Sequence, residues 1–270
     1  MQVIDIQGAV TKPHFVLIYG KSGSGKTHLC GTLGELGNVL FIDIDQGHET
    51  LRCAPTLEKA RGNITVVSFE AFGDLDKAYK AVAKNDPANW ERIFNQGKRD
   101  NEGKPITPEH KDYHKVETPF DWVVWDTWTH VQHYMKEGLR TKESKDPFNG
   151  TIGFRKNISQ PDWGSLSDIN DIAVVALRDC SVNQVFIMQE ILKILNPGKA
   201  NETVVKGPAI HGQMVERMPS YFDVVVHTDT DTMGRFTQTT KAKSGWIAKS
   251  RRGPGADFTG ATMKEVLNIV

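Results

Sequence analysis

The sequence predicts an α/β fold: a mainly parallel sheet flanked by helices, extended near its C-terminal end by antiparallel strands. Two observations predict it. Short apolar runs rich in β-branched and aromatic residues recur between turn residues, and stretches with helical spacing separate them. The runs are nearly continuous rather than alternating, which suits strands covered on both faces, as parallel strands are.

In chain order, residues 15–19 form the first strand and 26–36 the first helix, closed by Gly37. Strands follow at 39–43 and 64–69, then a helix at 75–84. A strand at 122–125 leads to a helix at 166–180 and to strands at 184–188 and 223–227. Residues 224–227, 235–240 and 246–248 read as a short antiparallel set extending the sheet. Two polar stretches, 85–118 and 140–162, are expected as insertions or exposed loops on one domain spanning residues 1–270.

Composition narrows the class. A chain of 270 residues with 39% hydrophobic content, twelve Phe and six Trp buries a real core and is not disordered throughout. It has no run of about 18 apolar residues, so no membrane partner is expected. The opening MQVIDIQGAVTKPHF lacks a basic start followed by a long apolar stretch, so no secretory signal is expected either. Cys30, Cys53 and Cys180 are odd in number and far apart, which excludes a disulfide framework and fits a cytoplasmic location. Lys+Arg and Asp+Glu both number 33, yet the balance is uneven along the chain. Residues 1–192 hold 22 basic and 26 acidic residues, a net of −4; residues 193–270 hold 11 and 7, a net of +4. Neutrality therefore does not exclude a nucleic-acid partner.

The strongest motif is Gly20-Lys21-Ser22-Gly23-Ser24-Gly25-Lys26-Thr27, which fills the pattern G-x-x-x-x-G-K-[ST] between a buried strand and a helix. Its glycines let successive N–H groups turn inward around phosphates, and the helix adds its positive N-terminal end. Lys26 supplies a charge between the terminal phosphates, Thr27 a hydroxyl for Mg²⁺, and His28 completes the candidate nucleotide contacts. Asp126 ends the apolar run Phe120–Asp126 at the sheet edge that carries this loop, which makes it the candidate water-mediated Mg²⁺ acid.

Further along, the chain resembles the RecA-like P-loop ATPases. The strand Val39-Leu-Phe-Ile-Asp-Ile-Asp45 is similar to their FID-x-E segment, and the resemblance puts Asp45 where the catalytic Glu stands. Asp is one methylene shorter, which leaves Glu49 as the other candidate for positioning water. Val185-Phe-Ile-Met-Gln189 resembles the strand whose Gln senses the γ-phosphate. After it, the resemblance implies a mobile loop touching single-stranded DNA, with Lys193, Lys199 and Lys206 as contacts. Trp246-Ile-Ala-Lys249-Ser-Arg251-Arg-Gly253 resembles a K-x-R segment that reaches a neighbouring subunit's γ-phosphate, in the manner of an arginine finger. As a whole the chain most resembles compact phage-encoded RecA-like ATPases of the AAA-domain type. That resemblance implies a RecA-like core using ATP and Mg²⁺, hydrolysis, and assembly into a ring or filament on single-stranded DNA during recombination or annealing. If the chain is phage-encoded, its compartment is the cytoplasm of a bacterial host.

Other features read more plainly. Trp122, Trp125 and Trp128 are expected in the core or at a subunit contact, and His48, His130 and His133 as structural or solvated rather than metal-bound. Two alternatives stay open: a small-molecule kinase whose lid is the 85–118 stretch with Arg92 and Arg99, and a nucleotide-controlled binding module with little hydrolysis.

Overall fold

The computed structural model describes residues 12–68, 72–142, 160–195, 198, 200, 202–210, 214–243 and 245–269. The elements are β1 (Phe15–Gly20), α1 (Lys26–Gly31), β2 (Val39–Asp43), α2 (His48–Cys53), β3 (Ile64–Ser68), α3 (Phe72–Lys84), α4 (Pro87–Asn95), β4 (Trp122–Asp126) and α5 (Trp128–Lys142). There follow α6 (Gln160–Arg178), β5 (Asn183–Leu195), β6 (Thr203–Pro208), α7 (Met214–Arg217), β7 (Val224–Thr230), β8 (Phe236–Thr239), β9 (Lys249–Ser250), β10 (Asp257–Thr259) and α8 (Met263–Val266).

The strands join in the order β10-β8-β7-β1-β5-β4-β2-β3, with β6 paired to β5 and β9 to β7. From β7 to β3 every neighbouring pair is parallel; β8, β10, β6 and β9 are antiparallel to their partners. The chain crosses from β1 by way of α1 to β2, and β4 and β5 later fill the gap. The parallel strands therefore end at one common edge, where Gly20 lies opposite Gln189 and Thr228, and Asp43 opposite Asp126.

Strand periodicity sorts the core into two layers. Phe15, Leu17 and Tyr19 of β1 face a cluster containing Trp125, Trp128, Val174, Leu177 and Phe186. Val16 and Ile18 face the other side, with Leu29, Leu33, Val226 and Met263. β1 is buried throughout, as its unbroken apolar run requires. Trp122, Trp125 and Trp128 are buried too, and the indole N–H groups of Trp125 and Trp128 donate to Gln184 and Asn170.

The structure departs from expectation at several places. The first helix is α-helical only to Gly31 and tightens into a 3₁₀ turn at Thr32–Glu35. A Cβ on Gly34 would come within 2.4 Å of the Ala60 carbonyl oxygen, so this segment packs directly on backbone. Residues 85–118 are not simply a loop: Pro87 starts α4, Trp90 is 1% exposed, and Phe94 stacks on it with ring centroids 5.6 Å apart. Of the 140–162 stretch, Arg140–Lys142 close α5 and Gln160–Asp162 open α6, while 143–159 lie outside the described residues. The mobile loop expected after Gln189 is instead a hairpin. β5 runs through Gln189 to Leu195 and pairs with β6, setting Ile194 opposite Val204 and Lys193 opposite Val205. At the C-terminal end, β7 is parallel to β1, and the strand expected at 246–248 falls at Lys249–Ser250.

Candidate nucleotide-binding site

The loop from Gly20 to Thr27 leaves β1 at the C-terminal edge of the sheet and turns into α1. Gly23 and Gly25 take φ values of 76° and 83°, the left-handed region that glycine enters without cost. Gly20 is needed for a different reason: a Cβ there would lie 2.2 Å from the Thr228 carbonyl oxygen. Ser24 is buried, and its hydroxyl meets that of Thr228 at 2.7 Å, which pins the loop to β7. Ser22 is exposed at the tip, and Lys21 reaches Asp229 at 4.0 Å. Lys26 is 8% exposed and its Nζ donates to the carbonyls of Gly20 and Lys21, at 3.0 and 2.7 Å. Burial pulls its amine below the ordinary lysine value, with Asp126 and Asp45 acting the other way. His28 sits near the start of α1, its Nε2 2.6 Å from the Thr56 hydroxyl and its ring tilted against Phe236.

Across β5, the tips of β2 and β4 bring the acids. The Thr27 hydroxyl donates to Asp126 Oδ2 at 2.7 Å, so the two predicted Mg²⁺ residues are in direct contact. Asp126 is 2% exposed, and burial pushes its carboxyl up to about 7; the charges of Asp45 and Asp43 add to this, while the Thr27 hydroxyl opposes it. Ile44 N donates to the Asp126 carbonyl at 2.6 Å, tying the loop after β2 to the end of β4. Burial also raises the Asp45 carboxyl, with His130 opposing.

The roles that the 43–49 segment divides are now separable. Asp43 is a turn cap, accepting the N–H groups of Gly47 (3.0 Å) and His48 (3.3 Å) and meeting His48 Nδ1 at 2.5 Å. Glu49 is turned to its own helix, 3.4 Å from Arg52 and 3.7 Å from Cys53 Sγ. Asp45 is the carboxylate beside Asp126. Gly47 reveals this, because a Cβ there would lie 3.2 Å from Asp126 Oδ2, 3.2 Å from Asp45 Oδ1 and 3.5 Å from Thr27 Oγ1. Three oxygens converge on one point that a side chain would fill. Gly47 has an ordinary φ of −70°, so its value lies in space alone.

The remaining predicted residues are dispersed. Gln189 is exposed beside Gly20, and its N–H donates to Thr129 Oγ1 at 3.1 Å. Lys193 is ion-paired with Glu216 at 2.7 Å. Lys206 lies 3.3 Å from Asp229 and 3.8 Å from the buried Glu190, which itself meets buried His227 at 2.6 Å. Lys199 lies outside the described residues. Lys249 and Arg251 both donate to the Ser220 carbonyl, at 3.2 and 2.9 Å. Arg251 N bonds the Asp223 carbonyl, five residues below the Thr228 that faces Gly20, roughly 16 Å down the strand at about 3.3 Å per residue. The structure does not bring this pair to the phosphate loop of its own chain.

Sequence reasoning misses Gly47, Thr228 and Phe236, and it discounts His130. Gly47 and Thr228 carry no motif of their own and acquire meaning only when strands distant in sequence meet. His130 is visible as the fourth residue after Asp126, but in the sequence it reads only as a metal ligand that lacks companions.

The donors suit a hydrated hard cation shared with a phosphate. They are a hydroxyl and carboxylates at a roomy point, and Mg²⁺ is usually held by one or two carboxylates with substrate oxygens rather than by a full protein cage. Among the described residues, no group of three or more His, Cys, Asp or Glu forms a metal cage on its own. An α/β sheet with this loop on its central strand and an acid–hydroxyl pair across the neighbouring strand defines a P-loop nucleotide-binding protein. The AAA-domain family model matches residues 12–252, and the chain belongs to that family. No curated protein matches the sequence. Among the described residues, no helix is long and apolar enough to cross a membrane.

Proposed function

We propose that the protein binds and hydrolyses ATP with Mg²⁺ in the manner of RecA-like ATPases, and that it acts on single-stranded DNA in recombination or strand annealing as a homo-oligomer. The observation that carries hydrolysis is the convergence of Thr27, Asp126 and Asp45 on the space left by Gly47. The loop amides and Lys26 would hold the phosphates, and Thr27 and Asp126 the cation. Bound there, Mg²⁺ would neutralise charge that develops on the phosphate oxygens. Asp45 orients the attacking water and accepts its proton. The water oxygen bonds to the γ-phosphorus, and the bond to the β–γ bridging oxygen breaks with its electron pair leaving on ADP. A carboxyl raised by burial is closer to the working pH of a base than an ordinary aspartate. Gln189, level with Gly20, is the residue this reading assigns to sensing the γ-phosphate.

The DNA reading rests on the hairpin that continues directly from Gln189. Leu192, Ile194 and Val204 are exposed on it, with Lys206 opposite Leu192 in the ladder. In the 85–118 stretch, Arg92 donates to Asn89 and Arg99 to the Gly103 carbonyl, so a kinase lid would need both to leave these local partners. The test compares ATP turnover with binding of a fluorescent oligonucleotide at low and high salt. Lys26→Ala should abolish turnover, and oligonucleotide binding should require ATP and Mg²⁺ and weaken steeply with salt. Turnover that survives Lys26→Ala overturns the hydrolysis reading; no binding at low salt with nucleotide present overturns the DNA role.

A further inference from the structure

We propose that His130 is a positioning residue for Asp45, holding the short carboxylate where the longer Glu of the FID-x-E pattern would otherwise reach. The inference rests on the hydrolysis reading above and adds a residue to it. β4 ends in Asp126, and α5 starts at Trp128, so His130 stands on the first turn of α5, four residues past Asp126. Its Nδ1 faces two oxygens at once: the Thr127 hydroxyl at 2.9 Å and Asp45 Oδ2 at 3.7 Å. Asp45 Oδ1, the other carboxylate oxygen, is the one beside Asp126 and Thr27 at the Gly47 space. One carboxylate oxygen of Asp45 thus lies within ion-pair reach of His130, and the other borders the Gly47 space.

The need for such a partner follows from length. A Glu reaches one methylene further from the same backbone position, whereas Asp45 depends on what surrounds it to stay at the reacting edge. Asp45 also follows β2 rather than lying within it, so no strand ladder fixes its side chain. The acids beside it, Asp43 and Asp126, repel it. A cation or N–H donor behind it draws it inward and leaves Oδ1 available. The Thr127 hydroxyl holds that same Nδ1 at 2.9 Å, which keeps the ring within ion-pair reach of Asp45.

The experiment measures Mg²⁺-ATP turnover and ATP affinity for His130→Ala, His130→Asn, Asp45→Asn and the Asp45→Asn/His130→Ala double variant, with and without single-stranded DNA. His130→Ala should lower kcat about 10-fold with KM and ATP affinity unchanged, less than the roughly 10²–10⁴-fold contributed by a base itself, because the carboxylate remains in place. His130→Asn, which keeps a donor near the Nδ1 position, should recover most of that loss. The double variant should be no slower than Asp45→Asn alone, because both changes act through one carboxylate. Wild-type kcat in His130→Ala, a loss that Asn does not relieve, or a double variant slower by the full product of the two losses would each overturn the proposal. If instead Asp45→Asn turns over at the wild-type rate, it is the underlying assignment of Asp45 that fails. The His130 ring is 41% exposed at its side chain, so its removal opens no core cavity, and an unchanged melting temperature checks this directly.

Discussion

Asp126 carries two opposing demands. As a candidate cation ligand it must be ionised, yet the protein buries it almost completely and pushes its carboxyl from 3.8 up to about 7. The sign for stability follows from proton linkage. The folded chain holds a proton on Asp126 that the unfolded chain has released, so this group destabilises the fold progressively as pH rises from about 4 to about 7 and fully above that. Asp126→Asn removes the charge but keeps the shape. It should therefore raise the melting temperature of the nucleotide-free protein at pH 8 by a few degrees, roughly 2–4 °C per kcal/mol for a chain of this size, and do little at pH 4.5. The same variant should lose Mg²⁺-dependent nucleotide binding. An equal Tm shift at both pH values would contradict the burial argument. Gly47 makes the complementary point about space. Gly47→Ala keeps an allowed backbone but puts a methyl 3.2 Å from two carboxylate oxygens, so turnover should fall at least 10-fold while the melting temperature stays within a degree or two. Nucleotide binding and turnover at wild-type levels in this variant would mean that the space serves nothing.

The strands that bear chemistry are legible in sequence to within a residue or two, because each is a buried apolar run ending in a polar side chain or glycine. Phe15–Gly20, Val39–Asp43 and Trp122–Asp126 are all of this kind, and the phosphate loop needs no structure to be seen. The hairpin after Gln189 is not legible in the same way, and the reason is physical. Ile191, Leu192, Ile194 and Val204 are exposed by 43–64%, so their pairing rests on backbone ladders and not on the burial that sequence patterns record. The Asn-Pro-Gly between ILKIL and TVV is the available signal for a turn. Gly47, by contrast, has none, since its neighbours come from three separate strand ends. The hairpin also changes what its lysines can do. Lys193 and Lys206 are held by Glu216, Glu190 and Asp229, so phosphates would have to displace carboxylates. If DNA lies on this ribbon, Lys193→Gln with Lys199→Gln should reduce the slope of log affinity against log salt by roughly 1.4, about 0.7 for each single-strand phosphate that the lysines no longer neutralise. ATP affinity should not change. An unaltered slope would remove both lysines from the DNA assignment.

At the scale of the molecule, acids gather at one edge of the sheet and a basic cluster at the other. The C-terminal edge of the parallel strands carries Asp43, Asp45 and Asp126 beside the phosphate loop. The opposite edge carries Lys249, Arg251 and Arg252, gathered where β9 meets the start of β7, and Arg252 donates to the carbonyls of Lys12 and Pro13 there. Arg251 is half exposed, and its guanidinium lies 2.9 Å from the Ser220 carbonyl and 4.0 Å from Asp223. Burial and the charge of Arg251 bring Lys249 down to about 8. Since these side chains cannot reach their own phosphate loop, any part they take in hydrolysis must be delivered to another copy, basic edge against acidic edge, in a head-to-tail contact. That geometry makes a prediction that a single-chain site cannot satisfy. Arg251→Ala should lower turnover without weakening ATP binding, and Lys26→Ala should abolish turnover through its own loop. Mixed in equal amounts, the two defective proteins should regain activity, because an Arg251→Ala copy keeps a sound phosphate loop and a Lys26→Ala neighbour supplies the missing cation. At random, one site in about four has that pairing, so recovery should approach about a quarter of the wild-type rate. A mixture that stays at the sum of its inactive parts would confine Arg251 to the structural contacts it makes at Ser220 and Asp223.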